Sequence, residues 1–492
     1  MPPWFRIAAC LLMLGAPAVA QACPFCSAVS LTFAQEIAQS QAAVIARLVE
    51  PPPAAALAPR AEGPLPKGKF EVVEVLKGGD LVASAGHRGA DAQPIETILL
   101  EEKPVGSLYL LMGVEPPHLV WSSPVPVSER AVAYIKKLDG LPEKGSDRLA
   151  FFQGHLEDQD EALARDAYDE FAVAPYADVK GLQDRMDPTQ LLEWIRNPKV
   201  QTNRRRLYAT MLGVCGTKAD AQQIEKILVG EDLGPDKAEI RSGLDALIAC
   251  YVTLAGPDGL DLIDSFFLDR KGREVPFTET YAAVMALRFL GEESEVVPRD
   301  RVLQSLRKLL DEPKLADLVI ADLARWQDWS VVDRLATLFE TATADNIFVR
   351  EPIVNYMKSC PLPEAAGVLE KLERIDPEAV RRAATMAGLA AITAATPAPG
   401  DDDDDGDPGD PSAAGGQPTA AVATDASDRD LARRIAPVLG DEDGNAGTSA
   451  VVPAGKSGAA GSGSSLKWAF WAGVVVLVGI ISRTMLRSTA AH

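Results

Sequence analysis

Histidine is almost missing: four occur in 492 residues, His87, His118, His155 and His492, each far from the others in the chain. Multi-histidine metal centres and triads that need an imidazole base therefore have little to be built from. Positive charge is also short, with 49 Lys and Arg against 70 Asp and Glu and a formal net charge of −21. That balance argues against nucleic acid as a partner, because phosphate binding needs clustered cations to displace counterions. Gly455-Lys456-Ser457 completes a relaxed phosphate-loop pattern, but it sits in low-complexity sequence rather than between strand and helix. With no nucleophile–base pair either, the sequence assigns no catalytic residue, no cofactor and no small-molecule substrate.

What is present begins at the two ends. Residues 1–22 read as a secretory signal: Arg6, an apolar run from Ile7 to Leu14, Pro17 and small residues before a cut after Ala22. At the other end, Trp468 to Ile481 is an uninterrupted apolar run of 14, flanked by Lys467 and Arg483. Residues 466–482 are expected to span a membrane once, with Trp468 and Trp471 at an interface. Arg483 and Arg487 beyond it place the short tail 483–492 in the cytoplasm by the positive-inside rule. The expected location is thus an ectodomain in the periplasm or at the cell surface. Small residues, an apolar helix and then arginine also match tails removed by sorting proteases, so retention of the tail stays open.

Residues 23–140 are β-rich. Ala43 to Val49 and Lys69 to Gly79 are rich in β-branched residues, and Thr97 to Leu100 and Ser107 to Met112 follow, separated by Gly and Pro, which reads as a small β-barrel or sandwich. Ser27 to Gln41 reads as helix. A cysteine at the start of the mature chain, the strand AAVIARLVE and then KFEVVEVLKGGD resemble the netrin-like module. That family is an OB-type barrel shared with tissue inhibitors of metalloproteases. The resemblance implies a small β-barrel, and a free N-terminal Cys23 whose amine and carbonyl would chelate a protease zinc.

Residues 145–394 turn helical and repeat themselves. Tyr208–Leu228 aligns without gaps on Val319–Phe339, and Tyr356–Leu372 on Leu323–Phe339. Apolar positions recur across a short polar break: Leu212 with Ile224 and Leu228, Leu323 with Leu335 and Phe339, Tyr356 with Val368 and Leu372. Each unit is a helix, a turn and a second helix, which must stack on neighbours to bury its apolar face. The set resembles HEAT-like repeats, which implies an α-solenoid scaffold. Residues 395–465 are Pro, Gly, Ala, Ser and Asp without periodicity, a disordered linker with an r.m.s. reach of roughly 45 Å. The expected fold class is therefore α+β and multidomain: N-terminal OB or netrin-like barrel, HEAT-like solenoid, linker and one transmembrane helix.

Few residues stand out chemically. Cys23 and Cys26 are a candidate disulfide or redox pair, although no strand precedes them as a thioredoxin-type site requires. Arg204, Arg205 and Arg206 open a repeat helix and are candidates to receive an acidic partner, while Trp326 and Trp329 flank an inter-helix turn as candidate peptide anchors. Asp401, Asp403 and Asp405 have the spacing that opens a calcium loop, but Ser412 stands where the bidentate Glu is needed. The expected function is a membrane-anchored, non-catalytic scaffold whose partners are other proteins at the membrane or cell envelope. The alternatives are a thiol-redox or protease-inhibitor module built on Cys23 and Cys26, and a structural component of the envelope.

Overall fold

The computed structural model describes residues 25–28, 30–57, 64–116 and 118–385. The expected signal segment 1–22, Cys23, the linker 395–465, the span 466–482 and the tail 483–492 lie outside these residues, as do Asp401, Asp403 and Asp405. Among the described residues no helix is long and apolar enough to cross a membrane.

Helix α1 is Phe33–Gln39, shorter than the helix expected over Ser27 to Gln41. Its start is set by Thr32, whose hydroxyl accepts from Gln35 N while the Gln35 side chain accepts from Thr32 N, a reciprocal cap. Strand β1, Ala42–Glu50, follows, then β2, Lys67–Lys77, helix α2, Gly79–Ser84, and strands β3, Ile95–Ile98, β4, Leu108–Val114, β5, Val120–Trp121, and β6, Val125–Val127. The strands form one antiparallel sheet in the order β3-β2-β1-β4-β5, with β6 also paired to β4. β1 is central, and Ala42 to Ala46 are fully buried on both faces, which explains why this strand reads as an unbroken apolar run.

The sheet curls until its two edges meet. Thr97 Oγ1 of β3 lies 3.0 Å from the carbonyl oxygen of Trp121 and 3.2 Å from that of Ser122, so the sheet is nearly closed and barrel-like. Its interior is filled by Val44, Ala46, Leu48, Phe70, Tyr109 and Leu111 with their neighbours, with the Phe70 and Tyr109 rings edge to face at 5.2 Å. Bulges supply the curvature: between β1 and β2 the register skips Val73 and Leu76 on β2.

A helical repeat-like array follows. Helix α3 is Glu129–Leu138, α4 Ser146–Gln153, α5 Glu161–Val173, α6 Tyr176–Lys180, α7 Pro188–Arg196, α8 Thr202–Cys215 and α9 Lys218–Val229. Then come α10, Lys237–Ile240, α11, Leu244–Ala255, α12, Gly259–Ile263, α13, Phe277–Glu293, and α14, Arg299–Arg307. The last are α15, Asp317–Arg325, α16, Val332–Glu340, α17, Arg350–Ser359, and α18, Pro363–Ile375. The three aligned windows each straddle a turn, between α8 and α9, α15 and α16, and α17 and α18. Leu212, Ile224, Leu228, Leu323, Leu335, Phe339, Tyr356 and Leu372 are all fully buried, while Val368 is half-buried. Helix α11 is buried from Asp245 to Val252, apolar nearly all round because α8, α9 and α13 enclose it.

Ion pairs stitch one unit to the next: Arg206 to Asp245 at 2.9 Å, Arg241 to Glu279 at 2.8 Å, Arg288 to Asp322 at 2.9 Å and Arg350 to Asp376 at 2.7 Å. Helix α3 ties the array to the sheet, through Lys136 to Glu74 at 2.8 Å on one side and the Tyr134 hydroxyl to Asp166 at 2.7 Å on the other.

Candidate interaction site

Strand β2 outruns its neighbour. β3 pairs only with Lys67 to Phe70, so Glu71 to Lys77 have β1 on one side and an open edge on the other. Gly78 ends the strand with φ +69°, and a Cβ there would stand 2.3 Å from the Gln41 carbonyl oxygen, so the chain can turn away only as glycine. After α2 the loop returns opposite the edge. It is closed by Gln93 N donating to Gly86 O at 2.8 Å, and His87 Nδ1 lies 3.0 Å from Gln93 O. The His87 ring also stands edge-on to Trp121 at 5.7 Å, which fixes the loop to the barrel.

Between edge and loop lies a cleft of about 910 Å³. Val73 is 50% exposed and lines it, because the bulge at this residue turns an apolar side chain out of the sheet. Glu74 is occupied by Lys136, and Lys77 Nζ donates to the Ile37 and Ala38 carbonyls, closing the last turn of α1. Glu71 and Arg88, both exposed, give the cleft one charge of each sign. Two bulges also make the edge a poor template for long strand pairing, so recognition there falls mainly to side chains.

The residues selected from sequence are dispersed. Cys26 is disulfide-bonded, whereas Cys215, Cys250 and Cys360 are free, so the partner of Cys26 lies outside the described residues. Burial pushes the Cys215 thiol up to about 11 and raises that of Cys250 as well, the opposite of what a nucleophilic thiol needs. The three arginines are engaged inside the chain: Arg204 with Glu161 at 2.6 Å, Arg206 with Asp245, and Arg205 with carbonyl oxygens in the interior. Trp329 stacks edge-on to Tyr356 at 5.1 Å. The Trp326 ring carries two guanidinium groups over it, Arg299 at 5.7 Å from its centroid and Arg325 at 5.3 Å. Among the described residues no group of three or more His, Cys, Asp and Glu side chains is placed to hold a metal ion.

Trp326 stands directly on the backbone of α13. A Cβ at Gly291 would meet its ring at 2.3 Å. Gly291→Ala is therefore expected to destabilise the array by about 1–3 kcal/mol through overpacking, read as a lower melting temperature. Trp326→Leu in the same chain should recover part of the loss if the ring is the cause.

Two features escaped the sequence reading: the β2 cleft, and an acidic knot on α5. Asp166, Asp169 and Glu170 are all buried in a helix that is otherwise largely apolar. Three acids within five residues of a buried helix was the available signal. Compared with family models, curated proteins and solved structures, the chain matches none.

Proposed function

We propose that this chain is a non-catalytic protein-interaction scaffold, exported and held at a membrane by its C-terminal apolar segment. On this reading the barrel-like sheet is a netrin-like OB module and the helical array a HEAT-like solenoid. The observation that carries it is the open edge of β2, where Glu71 to Lys77 wall a cleft of about 910 Å³ with an exposed valine in it. Open strand edges are normally covered or blunted, and a cleft of this size held open beside one suits a polypeptide partner. Burial raises the pKa of the Cys215 and Cys250 thiols, which adds nothing to a redox reading.

The test places a photo-crosslinking residue at Val73 in the full chain, in the membranes of the cells that make it, with the same residue at exposed Ile375 as control. A discrete adduct from position 73 and none from 375 is expected. Val73→Asp should abolish co-purification of that adduct's partner while changing stability by less than about 0.5 kcal/mol. Identical labelling from both positions, or none from either, rules the scaffold reading of the cleft out.

A further inference from the structure

The segment before α1 is not a free end. Phe25 is buried, with its ring 4.9 Å from that of Phe289, which in turn meets Tyr176 at 5.3 Å. The rest of the pocket comes from small residues on neighbouring helices, Ala209 and Gly213 of α8 and Ala246 and Ala249 of α11. Only about 10 Å³ of space is left around the ring, so the pocket fits an aromatic anchor closely. Small residues at i and i+4 on α8 open the room that larger ones would fill.

Past the anchor, the array grips backbone. The Tyr168 hydroxyl accepts from Ser27 N at 3.3 Å and donates to Ser27 O at 3.2 Å, so one side chain clamps both polar groups of one residue. Asp169 accepts from Ser30 Oγ at 3.0 Å, and Asp166 accepts from Phe33 N at 2.6 Å. The side chains of Ser27, Ala28, Ser30 and Leu31 are exposed, Leu31 by 49%. The array thus recognises one ring, a stretch of main chain and the Ser30 hydroxyl, and leaves Ala28 and Leu31 exposed.

We infer that this face, made by α5, α8, α11 and α13, is a peptide-binding seat for an extended segment carrying one aromatic anchor, and that the chain's own residues 25–33 are its resident ligand. An aromatic pocket followed by main-chain clamps reads a class of peptide rather than one sequence. The inference rests on the scaffold reading and names a partner class for it: a protein presenting an exposed aromatic-led strand would exchange with the strap. A tethered ligand acts at an effective concentration of order millimolar, which keeps the seat closed against dilute competitors.

The probe is a fluorescent nonapeptide of residues 25–33 with Cys26→Ser, added to the full chain. The Phe25→Ala chain, whose strap has lost its anchor, is expected to bind it at least about tenfold more tightly than the unaltered chain, as the tethered competitor weakens. The same peptide with Phe25→Ala should not bind. In the unaltered chain, excess peptide should speed hydrogen exchange at Ser27 N and Phe33 N, the two strap amides held by side chains. Equal affinity for both chains, or exchange that excess peptide leaves unchanged, overturns the inference. Because the probe is the chain's own segment, these outcomes do not depend on Val73 labelling: a failed seat with a labelled cleft removes only the seat.

Discussion

Arg205→Met should cost about 3–5 kcal/mol, because it leaves three buried carbonyl oxygens without their donor. Arg205 is 1% exposed, and its partners are carbonyl oxygens rather than carboxylates. From the first turns of α8 its Nε donates to Ile195 O at 3.0 Å and its Nη2 to Asn197 O at 2.8 Å and Val200 O at 2.9 Å, while Nη1 reaches Ser242 Oγ. These carbonyls belong to the end of α7 and the turn after it, where helical partners run out and the helix dipole is negative. One guanidinium therefore caps the preceding unit and joins it to the next. Methionine keeps much of the volume but leaves three buried acceptors unmade, each costing about 1–3 kcal/mol. Arg205→Lys, a single point charge in place of a fork, should recover only part. Arg206→Ala is the control: its pair with Asp245 is more than one third exposed at the arginine, and about 1 kcal/mol or less is expected. Urea unfolding followed by the fluorescence of Trp194, on α7 and 4.8 Å from Tyr208, reads both. Equal losses at the two positions would refute the capping role.

The contrast between these neighbours shows where legibility stops. Arg204, Arg205 and Arg206 are alike in sequence, but successive residues on a helix point about 100° apart. One reaches Glu161, one the interior and one Asp245. Helix pairs were legible because burial of Leu212, Ile224 and Leu228, and of Leu323, Leu335 and Phe339, repeats at a period that the local pattern carries. Four of the six strands were legible from β-branched and apolar runs, whereas β5 and β6, two and three residues long, carry too short a pattern to read. The cleft was not legible, because it arises from β2 outlasting β3, a matter of which distant residues pair. Helix α1 was overextended for a related cause: Ser27 and Ser30, before Thr32, are held by partners 139 to 141 positions away, whose contacts no local propensity encodes.

The acidic knot on α5 carries the second large expectation, a pH dependence with a definite sign. Asp166 is 5% exposed, with Oδ1 accepting from Phe33 N and Oδ2 from the Tyr134 hydroxyl. Burial raises its pKa to about 7 against these two donors, and the adjacent Glu170 and Asp169 push the same way. Arg148 is taken by a forked pair with Glu170 at 2.8 to 3.0 Å. Unfolded, the same carboxyl titrates near 4. Stability from this group is thus complete below about pH 4 and lost as pH rises to about 7, because across that window the unfolded chain sheds a proton that the folded chain retains. At about 1.4 kcal/mol per unit, the loss amounts to about 4 kcal/mol by pH 8. Asp166→Asn offers Oδ1 to Phe33 N and Nδ2 to the Tyr134 oxygen without ever ionising. It should match the unaltered chain near pH 4 and exceed it by about 2–4 kcal/mol at pH 8, so that its melting temperature varies less between those limits. Parallel melting curves across pH 4 to 8 would mean that Asp166 is ionised throughout, stabilised by its two donors more than it is penalised by burial.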